Sequence, residues 1–255
     1  MRPVKPTPVD VDWDQFDPDA YIGHNYEKAV LPEDQEVIRQ IITRIDALGI
    51  QPRSMQRVLN VGHGAVFTVD SIAQHLLSEA GTYDLVECGK QNLVRIQETI
   101  ANGLAGSKGI WEKFEQFAAA QSPALTDGLL RVWRLSRVVP GSIYALSHEM
   151  YDAGFALYCP ESITDDIAEF EEAVHAFVGS IKKDGLAVLA FVRGSEGYAT
   201  AGRPFPAVSV ECNDVCRLLS PHIKQLEVAP IEAPGIRPAS GPQAAGIGLA
   251  TGIRA

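Results

Sequence analysis

The sequence has no apolar stretch long enough to cross a membrane. Its uninterrupted runs, such as Leu186 to Val192, fall far short of the roughly 20 residues a spanning helix needs. The first residues, MRPVKPTPVDVDWDQFDPD, lack the apolar core of about 7–15 residues that marks a secretory signal, so no leader is expected. Basic residues are few: 22 Lys and Arg stand against 32 Asp and Glu, for a formal charge of −10. The Lys182–Lys183 pair is as long as any basic cluster gets. A nucleic-acid binder shows a basic face, so neither nucleic acid nor an anionic membrane is expected as a partner. The acidic balance suits a cationic or neutral small ligand. Cysteines number four, at 88, 159, 212 and 216. Only Cys212 and Cys216 are near each other, and no second ligand pair accompanies them, so no metal site is expected. Reduced thiols in a cytoplasmic protein are the expectation.

What is present suits a folded domain. The chain has 255 residues, 46% hydrophobic and 21% charged, a length that supports one α/β domain without covalent staples. An arm and lid over 1–30 precede a domain over 31–255. Pro3, Pro6 and Pro8 mark the arm as unstructured or loosely docked. From Trp13 to Tyr26 aromatics (Trp13, Phe16, Tyr21, Tyr26) alternate with acids, a density that points to a segment docking on something. Pro32, Glu33 and Asp34 open a helix whose apolar face is Val37, Ile38, Ile41, Ile42, Ile45 and Leu48, ended by Gly49.

A strand at 57–61 then runs into a glycine turn, a helix over 69–79, a second strand at 83–87 and a second helix over 90–100. This is the opening of a doubly wound parallel sheet. Trp111, Phe114 and Phe117 share a helical face and read as core. A blurred third strand falls within 129–139, with Arg131, Arg134 and Arg137 on a solvated face. Further strands are expected at 155–159, 186–192, 223–231 and 247–253, with helices over 165–181 and 213–219. A proline-bearing loop (Pro234, Pro238, Pro242) separates the last two strands.

The turn after the first strand, Gly62-His63-Gly64, is where a ligand is expected, because ligands of open α/β sheets sit at the carboxyl ends of the strands. The third glycine of a dinucleotide site is missing, and Phe67 would obstruct a pyrophosphate, which disfavours a nicotinamide-dependent oxidoreductase. The phosphate-binding G-x4-G-K-[ST] loop is absent too. Glu87 ends the second strand where an acid would hold ribose hydroxyls. A nucleoside without phosphates fits this pattern, and S-adenosylmethionine is such a ligand.

The chain resembles the small-molecule methyltransferases that include the nicotinamide, phenylethanolamine and thioether enzymes and their shorter bacterial relatives. The segments that carry the resemblance are FDPDAYIGHNY at 16–26, 58–67, ECGKQNL at 87–93, ESITDD at 161–166 and GSEGY at 194–198. The resemblance implies a seven-stranded Rossmann-like sheet with an N-terminal helical lid, and methyl transfer from S-adenosylmethionine to a nitrogen, oxygen or sulfur of a small molecule by in-line displacement. It implies that Tyr21 and Tyr26 close over the methionine part of the cofactor. Gly62, His63 and Gly64 form the cofactor turn, Glu87 and Asn92 hold the ribose, and Tyr198 faces the acceptor. Asn60 stands where the relatives have Asp, His63 where they have Ser or Thr, and Ala65 where they have Pro. The adenine-reading acid after the third strand has no counterpart near Val138-Val139-Pro140. These departures leave open a methyltransferase fold with altered or lost cofactor use, acting as a ligand-binding or partner subunit.

For the acceptor side the candidates are His24 and Glu161 as general bases, with Glu161, His148 and Tyr198 as binding groups. Each has a bland alternative: a backbone-bonded His63, a solvated His148. A monomer or homodimer is expected.

Overall fold

A computed structural model describes residues 11–102, 108–125, 131, 134–232 and 246–255. The arm prolines, the side chain of Trp111 and the proline-bearing loop at 234–242 lie outside the described residues.

The chain begins with a 3-10 turn (Trp13–Gln15) and helix α1 (Pro18–Tyr26), whose N-cap Asp17 accepts from the Ala20 amide at 2.9 Å. Helix α2 (Pro32–Ala47) starts at the expected proline, and its first-turn acids Glu33 and Asp34 complement the helix dipole. It buries Val37, Ile38, Ile41 and Ile45, the apolar stripe visible in the sequence. Then follow β1 (Met55–Val61), α3 (Asp70–Leu76), β2 (Leu77–Glu87), α4 (Lys90–Ala101), α5 (Lys108–Gln121) and β3 (Ser136–Pro140). The second half holds β4 (Tyr151–Leu157), α6 (Ile167–Ser180), β5 (Ile181–Arg193), the short strands β6 (Tyr198–Thr200) and β7 (Arg203–Phe205), α7 (Cys212–Leu219), β8 (Ile223–Ile231) and β9 (Gly246–Arg254).

Seven strands form one sheet in the order β3-β2-β1-β4-β5-β9-β8. β1 pairs in parallel with β2 and β4, and β4 with β5, whereas β9 runs antiparallel to both β5 and β8. The expectation of a doubly wound seven-stranded sheet is met, with one strand reversed. β6 and β7 form a separate hairpin.

Two strands begin earlier than their local pattern implies. Residues 77–79 were expected in a helix, but Leu77 pairs with Met55 and leaves the helix for the sheet. Ile181 pairs with Tyr151 in the same way. Sheet pairing here overrides local helix preference.

Two apolar layers enclose the sheet. One packs Val58, Leu85, Phe155 and Val188 against α2 to α5, with Phe114 buried in it. The other packs Leu59, Val61, Ala156 and Leu189 against α6 and α7. The sheet order reverses between β2-β1 and β4-β5, so the carboxyl ends of β1 and β4 frame a crevice.

Candidate active site

A cleft of about 390 Å³ opens at that crevice, in the size range of small-molecule sites. Its floor is the turn after β1. Gly62 and Gly64 both take positive φ, 64° and 63°, and a Cβ on Gly62 would overlap the Cys159 sulfur. Glycine is therefore required at 62 by backbone shape and by the approach of the strand β4 end.

Glu87, at the end of β2, ties this turn down. One carboxylate oxygen accepts from the Gly64 amide at 2.9 Å, and the other from the Cys88 and Gly89 amides at 2.8 Å each. The carboxylate also lines the cleft. On the same side of Gly89 lies Asn92, whose Oδ1 is buried with no hydrogen-bond partner among the described residues.

His63 is buried between two acceptors. Nδ1 is 2.9 Å from the Gly64 carbonyl and Nε2 is 3.3 Å from the Asp70 carboxylate. Burial opposes protonation, but the Asp70 charge and hydrogen bond outweigh it and lift His63 above its ordinary value. Phe67 meets the ring edge-on at 4.4 Å between centroids. With both ring nitrogens engaged, His63 shapes the turn. Asn60 donates to the Tyr83 hydroxyl at 3.2 Å beneath the same turn.

The roof is aromatic. Trp13 stacks on Phe205 at 5.3 Å, and Phe205 stacks on Tyr198 at 5.5 Å. Phe16 meets the edge of Phe205, and contacts then run Phe16–Tyr21, Tyr21–Tyr26 and Tyr26–Phe114. Asp14 pins this segment to the start of α4: its carboxylate accepts from the Lys90 amide at 3.0 Å and pairs with the Lys90 ammonium. Tyr26 donates its hydroxyl to Asp34 at 2.8 Å, and Tyr158 donates to the other oxygen of Asp34 at 2.9 Å. Burial, then the Asp34 charge, pushes both phenols well above their usual value, so both remain donors.

The cleft thus gathers Tyr21, His24, Tyr26, Gly62, His63, Gly64, Glu87, Asn92 and Tyr198. His24 is exposed at its rim. Glu161 does not line the cleft. It is fully buried, accepting from the Val192 amide at 2.9 Å and from the Ser162 hydroxyl at 3.2 Å, with Oε2 unpartnered. Burial pushes its carboxyl up to about 7 against the pull of these donors. Ser162 does line the cleft, and the Tyr198 hydroxyl lies 3.5 Å from the Ser162 carbonyl.

The placement of His148 among the acceptor-binding groups is corrected. It precedes β4 and lies exposed beside Gly179 near the end of α6, at the amino edge of the sheet and away from the cleft. Of the arginines expected on a solvated face, Arg134 and Arg137 are exposed, whereas Arg131 is half-buried. Arg131 pairs with Glu79, and Arg137 with the buried Asp84 at 2.8 Å.

Several cleft residues were not singled out in the sequence: Glu33, Asp34, Tyr158, Ser162 and Ser142, and neither was Phe205, which backs the cleft residues Trp13 and Tyr198. Glu33 and Asp34 read as ordinary first-turn acids, and Phe205 lies some 190 residues from the ring it covers. Ser142 carried a signal in its position just after the third strand. It lines the cleft with Gly141 and Ile143 where the adenine acid was missing.

No protein-family model and no curated protein matches the sequence. Solved structures are similar to it in fold. An S-adenosylmethionine-dependent methyltransferase from Aquifex aeolicus matches at 13% identity over 94% of this chain and 100% of that one, with a TM-score of 0.52. DhpI, solved in a complex with SAM and HEP, matches at 12% identity over 91% and 92%, with a TM-score of 0.54. The CurJ carbon methyltransferase matches at 14% identity over 86% of this chain and 54% of that one, with a TM-score of 0.51. The chain has the seven-stranded α/β fold of these structures, among them the S-adenosylmethionine-dependent methyltransferase from Aquifex aeolicus.

Proposed function

We propose that this chain transfers a methyl group from S-adenosylmethionine to a small-molecule acceptor. The observation that carries the reading is the pair of acceptors at the end of β2 and start of α4. Glu87 is held rigid by three amides, and Asn92 presents a buried, unpartnered oxygen beside it. Two acceptors side by side at a strand end suit the vicinal hydroxyls of a ribose, and buried orphan acceptors are costly unless a ligand satisfies them. Gly62 and Gly64 would admit the nucleoside's close approach, with Ser142 and Ile143 beside its base. When bound, S-adenosylmethionine supplies an electrophilic methyl on a sulfonium centre.

The chain's own contribution is positioning, which alone supplies much of the rate of such reactions. Trp13 and Tyr198, with Phe205 stacked between them, wall the cleft and exclude water. Where the acceptor must lose a proton, Ser162 takes it at Oγ while passing its own proton to Glu161 Oε1. A carboxyl near 7 suits this role at neutral pH. Glu161 acts in this scheme through Ser162, and His24 stands at the rim as the exposed alternative base. The particular branch named by the resemblance is supported by Tyr21, Tyr26, Glu87 and Asn92 falling on one cleft. The thiols at 88, 159, 212 and 216 are unpaired, which suits a cytoplasmic setting.

The test is to incubate the protein with S-adenosylmethionine and a panel of small amines, thiols and phenols, following S-adenosylhomocysteine. Product that grows with one acceptor class, and falls at least about tenfold in Glu87→Ala, is expected. Tight cofactor binding with no turnover on any acceptor would favour a ligand-binding role for the same fold.

A further inference from the structure

Charge is distributed unevenly in the cleft. Glu33, Asp34 and Glu87 line it, and among the described residues no Arg or Lys does. Glu87 is occupied by backbone amides, as above. Asp34 receives the two tyrosine hydroxyls. Glu33, next to it in the first turn of α2, is only 9% exposed, yet its Oε2 is buried without a hydrogen-bond partner among the described residues. The helix dipole eases the burial of an acid here but gives that oxygen no donor. A buried carboxylate oxygen without a partner is expensive. A cationic donor arriving with a ligand would satisfy it.

We infer that Glu33, with Asp34 behind it, is a binding site for a protonated primary amine. The rings of Tyr21, Tyr26 and Tyr158 line the same end of the cleft, where aromatic faces add attraction for a cation. Tyr158 directly precedes Cys159, which packs on Gly62, so the site lies at the glycine-turn end of the cleft, where Glu87 also holds the Gly64 amide. A nitrogen held as an ammonium has no lone pair, so the nitrogen bound here is not the atom methylated. It is either an anchoring group of the acceptor molecule or the methionyl ammonium of the cofactor. Carboxylate and phosphate acceptors are disfavoured by the same charges. The inference rests on the cleft being the ligand site proposed above.

The experiment measures binding to wild type, Glu33→Gln and a control, Glu36→Gln, whose carboxylate pairs with Arg39 on the same helix. Unfolding midpoints confirm that each is folded. The probes are S-adenosylhomocysteine, 5'-methylthioadenosine (the same nucleoside without the amino acid), benzylamine and benzyl alcohol. Benzylamine and benzyl alcohol are titrated with and without saturating S-adenosylhomocysteine. If the acceptor supplies the ammonium, Glu33→Gln weakens benzylamine by at least about tenfold and leaves benzyl alcohol unchanged. If the cofactor supplies it, Glu33→Gln weakens S-adenosylhomocysteine by a similar factor and leaves methylthioadenosine unchanged. Unaltered binding of both amine probes in a folded Glu33→Gln variant overturns the inference. If neither nucleoside binds wild type, the proposed function fails, while the benzylamine arm without nucleoside still decides the ammonium site.

Discussion

Glu161 is buried without a cation, and burial pushes its carboxyl up to about 7. The folded state therefore holds this proton more tightly than the unfolded chain, where a glutamate titrates near 4.3. Its contribution to stability is full below about 4.3 and is lost as pH rises toward about 7. Glu161→Gln keeps the shape of the protonated acid and removes the titration. Urea unfolding across this range should show wild type losing up to roughly 3 kcal/mol relative to the variant between pH 4 and 8. A constant difference would mean that Glu161 is charged in the fold. The sequence placed Glu161 correctly after the fourth strand, but nothing local showed that Ser162 stands between it and the cleft. Glu87 was legible as a strand-end acid, whereas its three amide partners depend on how the turns at 64 and 88–89 close around it. His148 was misplaced because proximity to a strand was taken without its direction. Residues before a parallel strand gather at the amino edge, and residues after it gather at the ligand edge.

At the scale of elements, the N-terminal segment is two pieces with different jobs. Trp13, Asp14 and Phe16 rest on the β6–β7 hairpin and α4, over the cleft. Ile22 and Tyr26, in α1, are buried. The density of aromatics at 13–26 announced a docking segment, but not its landing place, because Phe205 is remote in sequence. Deleting residues 1–17 should leave the thermal unfolding midpoint within a few degrees and lower methyl transfer strongly, since closure completes and dries the site. Deleting residues 1–28 also removes Tyr26 and its bond to the buried Asp34, and should destabilise the fold by about 3 kcal/mol or more. Full turnover after the shorter deletion would show that the roof is ornamental. Helix α2 was readable almost to the residue because its apolar stripe, proline start and glycine end agree. The early starts of β2 and β5 were not, because they are set by pairing with Met55 and Tyr151.

For the whole molecule, the alternation of strands and helices was enough to give a doubly wound sheet. The reversal of β9 was hidden, since an uninterrupted apolar strand reads the same in either direction. The formal charge of −10 argued against nucleic acid as a partner, but it did not show that the cleft itself lacks Arg and Lys among the described residues. The central claim is that the turn after β1 and the acceptors after β2 form a nucleoside site. Calorimetric titration of S-adenosylhomocysteine into wild type, Glu87→Ala and Asn92→Ala tests it most directly. The account predicts saturable one-to-one binding to wild type, weakened at least about tenfold in Glu87→Ala and severalfold in Asn92→Ala, with unfolding midpoints showing both variants folded. No binding to wild type, or equal affinity in all three proteins, would contradict it.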